Sequence, residues 1–300
     1  MSEGAVPGPL EESLQRLEGG EEVAAFEGVM VPPQIGGIGP LGRTAGRLAL
    51  RAVPPAIVFV LLVFLWEYAV RALHIPDYTL PAPSRIVQTI PSIDELKTDA
   101  FYTSVQEALP GYLIGSGLGF LVAVVASRFT FVARGVLPYA VISNSIPIIG
   151  MAPIAVVLFG FDWQSKAFVV AVLTFFPMVI NAYRGLVSLD PLTLQLMQSY
   201  AASSRQMFVK LRLPASLPYV FNGLKINTTL AMIGAIVGEY FGAQAEGLGY
   251  YIKTQAGSLS MDQVWAAVVV ACAIGIAAYV LVVIVERLLT SWHISYRAGR

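Results

Sequence analysis

Residues 264–285 read VWAAVVVACAIGIAAYVLVVIV, an unbroken apolar run without a single charged side chain. A helix this long covers the roughly 30 Å hydrocarbon core of a bilayer. Five further blocks of the same character lie upstream, at about Pro55–Leu73, Gly111–Ser127, Val136–Gly160, Ala167–Leu186 and Ile226–Gly242. In hydrocarbon a backbone N–H or C=O has no partner outside its own segment, which leaves helix or closed barrel. Barrel strands alternate in polarity over about ten residues, whereas these runs are solidly apolar. The expected fold class is therefore all-α and integral to the membrane, with about six transmembrane helices.

The whole-chain composition agrees. Of 300 residues, 56% are hydrophobic and 13% charged, about half the charged share of a soluble domain. The formal net charge is zero, which lends no support to a nucleic-acid partner. The single cysteine, Cys272, excludes an intrachain disulfide. The two histidines, His74 and His293, are far apart, and no cluster of residues suggests a metal or another cofactor.

Residues 1–50 differ in kind. They are acidic at first and Pro/Gly-rich afterwards, a composition that buries too little apolar surface to offset its ordering entropy. They are expected to form a disordered tail, residues 51–290 the membrane domain, and 291–300 a short second tail. The first apolar block begins too far along the chain for a cleaved secretory signal.

Orientation follows from the basic residues. With six crossings, Arg71, Arg85, Lys97, Lys166 and Lys253 fall on one side, and the other fourteen of the nineteen Lys and Arg fall on the opposite side. The richer side is expected to be cytoplasmic, with both termini on it. Residues 187–225 then form a long cytoplasmic loop. Ser84–Ile93 is expected as an interfacial helix on the outer side.

The cytoplasmic loop carries helical patterning of its own, which a plain connector of this length rarely does. It runs Asp190-Pro191-Leu192-Thr193-Leu194-Gln195-Leu196-Met197-Gln198-Ser199-Tyr200-Ala201-Ala202-Ser203-Ser204-Arg205 and continues to Leu213-Pro214. Pro191 suits a first helical turn. Leu192, Gln195, Leu196 and Ser199 share one face. Ser203 and Ser204 can cap a second helix that stops at Pro214. The expectation is a helix, a break and a helix on the cytoplasmic surface.

This stretch resembles the EAA loop of binding-protein-dependent ABC importer permeases. Aligning Leu213-Pro214 with the motif's closing Leu-Pro puts its glycine at Ala201 and its triplet at Gln195-Leu196-Met197. Both positions depart from the pattern, and the bend at Ala201 is in question. Ser199-Tyr200-Ala201-Ala202-Ser203 is similar to the branch serving sulfonates, nitrate and pyrimidine or vitamin precursors. So are the stretches Ile146–Pro153, Phe175-Phe176-Pro177, Gly238–Gly242 and Gly247–Tyr250.

The resemblance implies a permease subunit of the bacterial inner membrane, importing a small polar or anionic solute. It further implies three partners: a cytoplasmic ATPase subunit, an extracytoplasmic solute-binding protein and a second permease copy. Its coupling residues are Gln195, Leu196, Met197, Ser199, Tyr200, Ala201, Ser203 and Arg205. The chain has no G-x-x-x-x-G-K-[ST] phosphate loop, so ATP hydrolysis is expected on the separate subunit.

Ser143, Asn144 and Ser145 precede Pro147, where broken backbone could line a translocation pathway. Glu239 is the fourth pathway candidate, a structural hydrogen bond being its other reading. Two glycine ladders, Gly111/Gly115/Gly119 and Gly234/Gly238/Gly242, mark close helix approach either within the chain or between two copies. The alternative function is a self-sufficient secondary carrier or channel, which would show internal repeats and mid-membrane charges. A membrane-embedded enzyme would need paired carboxylates at depth, and none is expected from the spacing.

Overall fold

A computed structural model of the chain describes residues 41–143, 147–242 and 246–290, with side chains from residue 53 onward. Most of the first expected tail, all of the second, and the pathway candidates Asn144 and Ser145 lie outside the described residues. The chain divides into two units, residues 1–51 with 292–300, and residues 52–291. Of the first unit only helical residues 41–51 are described.

Among the described residues, ten helices follow in order. They are α1 (Leu41–Ala72), α2 (Pro83–Thr89), α3 (Glu95–Arg128), α4 (Thr130–Ile142), α5 (Ile148–Phe159), α6 (Trp163–Val187), α7 (Pro191–Ser199), α8 (Ser204–Phe241), α9 (Leu248–Gly257) and α10 (Met261–Leu289). The expected interfacial helix is α2, extended by a 3-10 turn, Ile90–Ser92. Helix α1 starts at Leu41, within the stretch expected as a tail. The run Leu41–Ala52 follows Pro40 and contains no proline.

Among the described residues, five helices are long and apolar enough to cross a membrane: Val53–Ala72 of α1, then α3, α6, α8 and α10. The block Val136–Gly160 is instead divided between α4 and α5. Their 13 and 12 residues span only about 20 Å and 18 Å at 1.5 Å per residue. Pro147 stands immediately before α5 as its N-cap, and lacking an N–H it begins a helix more readily than it continues one.

The glycine ladders settle how the long helices run. A Cβ added at Gly111 would lie 2.5 Å from the Ala167 carbonyl oxygen, one at Gly115 2.2 Å from that of Ala171, and one at Gly119 2.5 Å from that of Phe175. Residue numbers rise together, so α3 and α6 are parallel. On the other face of α6 the numbers run oppositely: Gly234 meets Leu173 and Val170, Gly238 meets Lys166, and Gly223 meets Met178 and Asn181. Helix α8 is therefore antiparallel to α6. Both ladders serve packing within the chain, with α6 between α3 and α8. Asn227 of α8 is fully buried and donates to Ser116 Oγ at 2.8 Å and to the Thr174 carbonyl at 2.7 Å, tying all three helices together.

This register has a topological consequence. Helices α3 and α6 start at the same pole, so α4 and α5 together must return the chain across the bundle. They supply the sixth crossing in two pieces. One pole then carries α7 between α6 and α8, and the opposite pole carries α2, the start of α3 and α9. At the α7 pole, Arg212 Nη1 donates to the Ser127 carbonyl at 3.3 Å, and Lys225 pairs with Glu286 of α10 at 3.0 Å.

Helices α1 and α10 form the apolar outside. Phe59, Leu61, Phe64, Ile276, Leu281 and Leu288 are all exposed, as side chains solvated by lipid tails should be. Near the α2 pole, Trp66 of α1 meets Trp265 of α10 edge to face at 5.1 Å. Glu67 accepts from the Ser84 backbone N–H at 3.0 Å and from its hydroxyl at 2.7 Å, holding the first turn of α2.

Candidate functional site

The α7 loop begins with Asp190, whose carboxylate accepts from the Leu192 N–H at 3.3 Å and caps the helix. Pro191 follows at the first helical position. The helix ends with the Ala202 N–H donating to the Met197 carbonyl at 3.1 Å and the Ala201 N–H to that of Gln198 at 2.8 Å. These two bonds, with the residue between cap and exit in the left-handed region, make a Schellman stop. That residue is Ala201, at φ +51°.

The bend placed in question by the missing glycine is thus present, and alanine occupies a conformation that costs an L residue about 1–2 kcal/mol. The next helix starts immediately. Ser203 Oγ accepts from the Gln206 N–H at 3.3 Å while Gln206 Oε1 accepts from the Ser203 N–H at 2.8 Å, a reciprocal capping box. Helix α8 then takes one wider π-type turn, Phe208–Arg212, and runs on to Phe241, so the expected stop at Pro214 is not made.

The candidate coupling residues are brought together here. Gln195, Leu196, Ser199, Tyr200, Ala201, Ser203 and Arg205 are exposed, and Met197 is half-buried beneath them. Leu192, Leu196 and Tyr200, spaced four apart, are 71%, 56% and 77% exposed. They form an apolar stripe on a short helix between two candidate spans. Leu192 belongs to this surface although it is absent from the coupling set read off the motif.

The pathway candidates separate. Ser143 closes α4 and lines a cavity of about 150 Å³ with Ile148, Met151, Val169, Leu173, Phe176 and Leu230 among its walls. None of the described residues lining it is charged. Glu239 lies elsewhere, near the end of α8 at the α9 pole, and only 1% of it is exposed. Its Oε1 accepts from the Thr103 hydroxyl and its Oε2 from the Gly249 N–H, both at 2.6 Å. The Leu248 N–H donates to Thr103 Oγ1 at 2.8 Å and the Gly247 N–H to Asp99 Oδ1 at 2.9 Å. Three successive N–H groups at the start of α9 are therefore held by side chains of α3 and α8, with acidic groups at the positive end of the helix.

Glycine is required twice in this turn. Gly247 has φ +100°, and a Cβ on it would stand 2.2 Å from Glu239 Oε1. A Cβ on Gly249 would stand 2.2 Å from the Ile236 carbonyl oxygen.

Two residues of this pole carried no signal in the sequence. Glu107 sits on a π-type turn of α3, Tyr102–Ala108, which also turns Thr103 inward. It is 3% exposed and its carboxyl faces that of Glu239. Lys166, counted among the outer basic residues, is 1% exposed, faces both carboxyls and donates to the Phe161 and Asp162 carbonyls. The expectation of no paired carboxylates is thereby corrected. Glu107 precedes its apolar block and lies more than a hundred residues from Glu239, so only folding brings them together.

A bundle of five long helices and one divided crossing, with a capped surface helix between its central spans, defines a multi-pass membrane transport subunit. The family profile described as "Binding-protein-dependent transport system inner membrane component" matches residues 115–291, and the chain belongs to that family. It is an ABC transporter permease of the inner membrane. The chain is 35% identical to the formylaminopyrimidine transport permease protein ThiX of Halalkalibacterium halodurans, over 82% of this chain and 98% of that one. It is 26% identical to the riboflavin transport system permease protein RibX of Chloroflexus aurantiacus, over 86% and 97%. It is 27% identical to the putative aliphatic sulfonates transport permease protein SsuC of Bacillus subtilis, over 81% and 87%.

Proposed function

We propose that this permease couples to a separate ATPase through the α7 loop and carries a small uncharged N-heterocycle of the formylaminopyrimidine type. The observation that carries the coupling is the exposed stripe Leu192–Leu196–Tyr200 on a helix fixed at both ends by its own caps. A short rigid helix with an apolar face is suited to sit in a groove of a partner and transmit its movement as a lever. The α7 pole is then cytoplasmic, and the opposite pole, with α2 and α9, receives solute from a binding protein. A second copy of the chain completes the pathway, and Ser143, Asn144 and Ser145 border it.

Two observations support an uncharged heterocycle over a sulfonate or nitrate. The ThiX relative is the more similar of the three by identity. The described residues lining the cavity at Ser143 present apolar walls and the Phe176 ring, and none of them is charged. An aromatic face and one hydroxyl suit a flat ring.

The test is uptake into proteoliposomes holding the permease, its ATPase and its binding protein. The expected result is ATP-dependent accumulation of labelled formylaminopyrimidine that excess taurine does not inhibit, and no hydrolysis by the permease alone. Steady hydrolysis by permease free of other subunits would refute the coupling scheme. Uptake of taurine or nitrate in place of the heterocycle would refute the substrate class alone.

A further inference from the structure

Two amides differ from the polar groups that hold the bundle together. Asn181 of α6 and Asn222 of α8 both lie within candidate spans, and Asn222 Nδ2 donates to Asn181 Oδ1 at 3.0 Å. Asn227, five residues along α8, is fully buried and directs its amide N–H groups to Ser116 and Thr174. Asn222 is exposed instead, and Asn181 is half-buried. Facing hydrocarbon, an exposed amide is unfavourable, whereas facing a water-filled passage it is not.

The pair continues the wall of the Ser143 cavity. Leu173, Pro177 and Asn181 follow at four-residue spacing on α6, as do Asn222, Ile226 and Leu230 on α8. Leu173, Pro177 and Leu230 line the cavity, so one helical stripe on each helix leads from it to the amides. Because α6 and α8 are antiparallel, both stripes run toward the α7 pole. The Pro177 carbonyl accepts from Asn181 Nδ2 at 2.8 Å, and a carbonyl can only accept. Asn181 therefore turns its Oδ1 to Asn222, which must offer Nδ2. Beyond this bond Asn222 keeps its carbonyl oxygen and a second N–H, neither of which meets another group among the described residues.

We propose that Asn181 and Asn222 form a solute-binding step between the Ser143 cavity and the α7 pole. Asn181 orients Asn222, and the carbonyl and N–H of Asn222 bind a ring that carries an amino group beside a ring nitrogen. The inference rests on the reading of the solute as an uncharged N-heterocycle. A carboxamide matches such a ring with one donor and one acceptor, as Asn and Gln do when they bind adenine. A sulfonate or nitrate offers acceptors only and would meet the Asn222 carbonyl unfavourably.

The test uses the permease in complex with its ATPase and binding protein, with Cys272 replaced by alanine. Labelling is measured in nanodiscs and uptake in proteoliposomes. Asn222→Cys should react with a membrane-impermeant methanethiosulfonate about tenfold faster than Leu281→Cys on the exposed face of α10, because the reactive thiolate forms only in contact with water. Asn222→Leu should lower ATP-dependent uptake of labelled formylaminopyrimidine about tenfold, on the scale of one lost hydrogen bond. Its elution and unfolding midpoint should stay at the wild-type values, and Asn222→Gln, which retains a carbonyl and an N–H, should recover most of the uptake. Equal labelling of Asn222→Cys and Leu281→Cys overturns the proposal. So does wild-type uptake by Asn222→Leu, or a loss of uptake matched by an equal loss of folded protein. A wild type that imports taurine and not the heterocycle refutes the substrate reading, and the ring pairing with it; the labelling of Asn222→Cys then still decides whether the pair borders the passage.

Discussion

At the α7 pole the chain turns from α6 into α8 using only neighbours: Asp190 caps α7, Ala201 closes it, and Ser203 with Gln206 opens α8. At the α9 pole the turn out of α8 is held from far away in sequence, by Asp99 and Thr103 of α3, with Glu107 and Lys166 packed behind. The first turn is exposed and free to meet a partner. The second is buried, and its three opening N–H groups are engaged by side chains of the bundle. The contrast separates two kinds of residue in a transport subunit. Locally capped ones can change without unfolding the bundle, and those in a cross-bundle cluster cannot.

Substitutions at the two poles should therefore fail differently. The largest effect is expected at Gly249. A methyl there must displace the Ile236 carbonyl oxygen, 2.2 Å away, and backbone strain with overpacking costs about 3 kcal/mol or more. Gly249→Ala should elute as aggregate when a detergent extract is run on size exclusion. A monodisperse, wild-type peak would show that the α9 turn is not rigid.

Next comes Ala201→Pro. Proline cannot adopt φ +51° and removes the N–H that donates to Gln198, a local cost of about 3 kcal/mol. The apolar spans are untouched, so insertion and monodispersity should persist. Transport should fall on the order of 100-fold if that strain is borne by the docking surface. Normal transport with wild-type elution would remove α7 from the coupling scheme.

A smaller effect is expected from Leu196→Asp, which places a charge on the exposed stripe without disturbing the bundle. Association with the ATPase should weaken about tenfold, in the range of a single interface anchor, and pull-down against graded ATPase concentration would measure it. The smallest effect is Ala201→Gly. It relieves the left-handed alanine and should stabilise the turn by about 1 kcal/mol, seen as slower amide exchange at Ala202 with transport unchanged.

The same contrast explains what could be read from the chain. The α7 loop was legible because its signals are adjacent: Asp190-Pro191, and Ser203 three residues before Gln206. The apolar blocks located α1, α3, α6, α8 and α10. The glycine ladders marked close packing, but only the register in the structure assigned both to α6 and showed which helices run parallel. The division of Val136–Gly160 into two helices was hidden because hydropathy sums over a break; Pro147 and the polar residues before it were its local trace. Glu239 stood out as a charge in an apolar block, yet its partners Thr103, Glu107 and Lys166 did not, since nothing in one sequence pairs residues so distant.

The coupling role of α7 is the central claim, and a contact measurement reaches it most directly. Cysteines would be placed at Ser199 and Ser203, each exposed, in a chain whose Cys272 has been replaced. Each would be crosslinked with a short bifunctional thiol reagent to cysteines scanned across the ATPase surface. The account predicts crosslinks from both positions to one groove of the ATPase, with yields that change when ATP is bound. If neither position crosslinks to any ATPase cysteine while the complex is intact and transporting, α7 is not the coupling element.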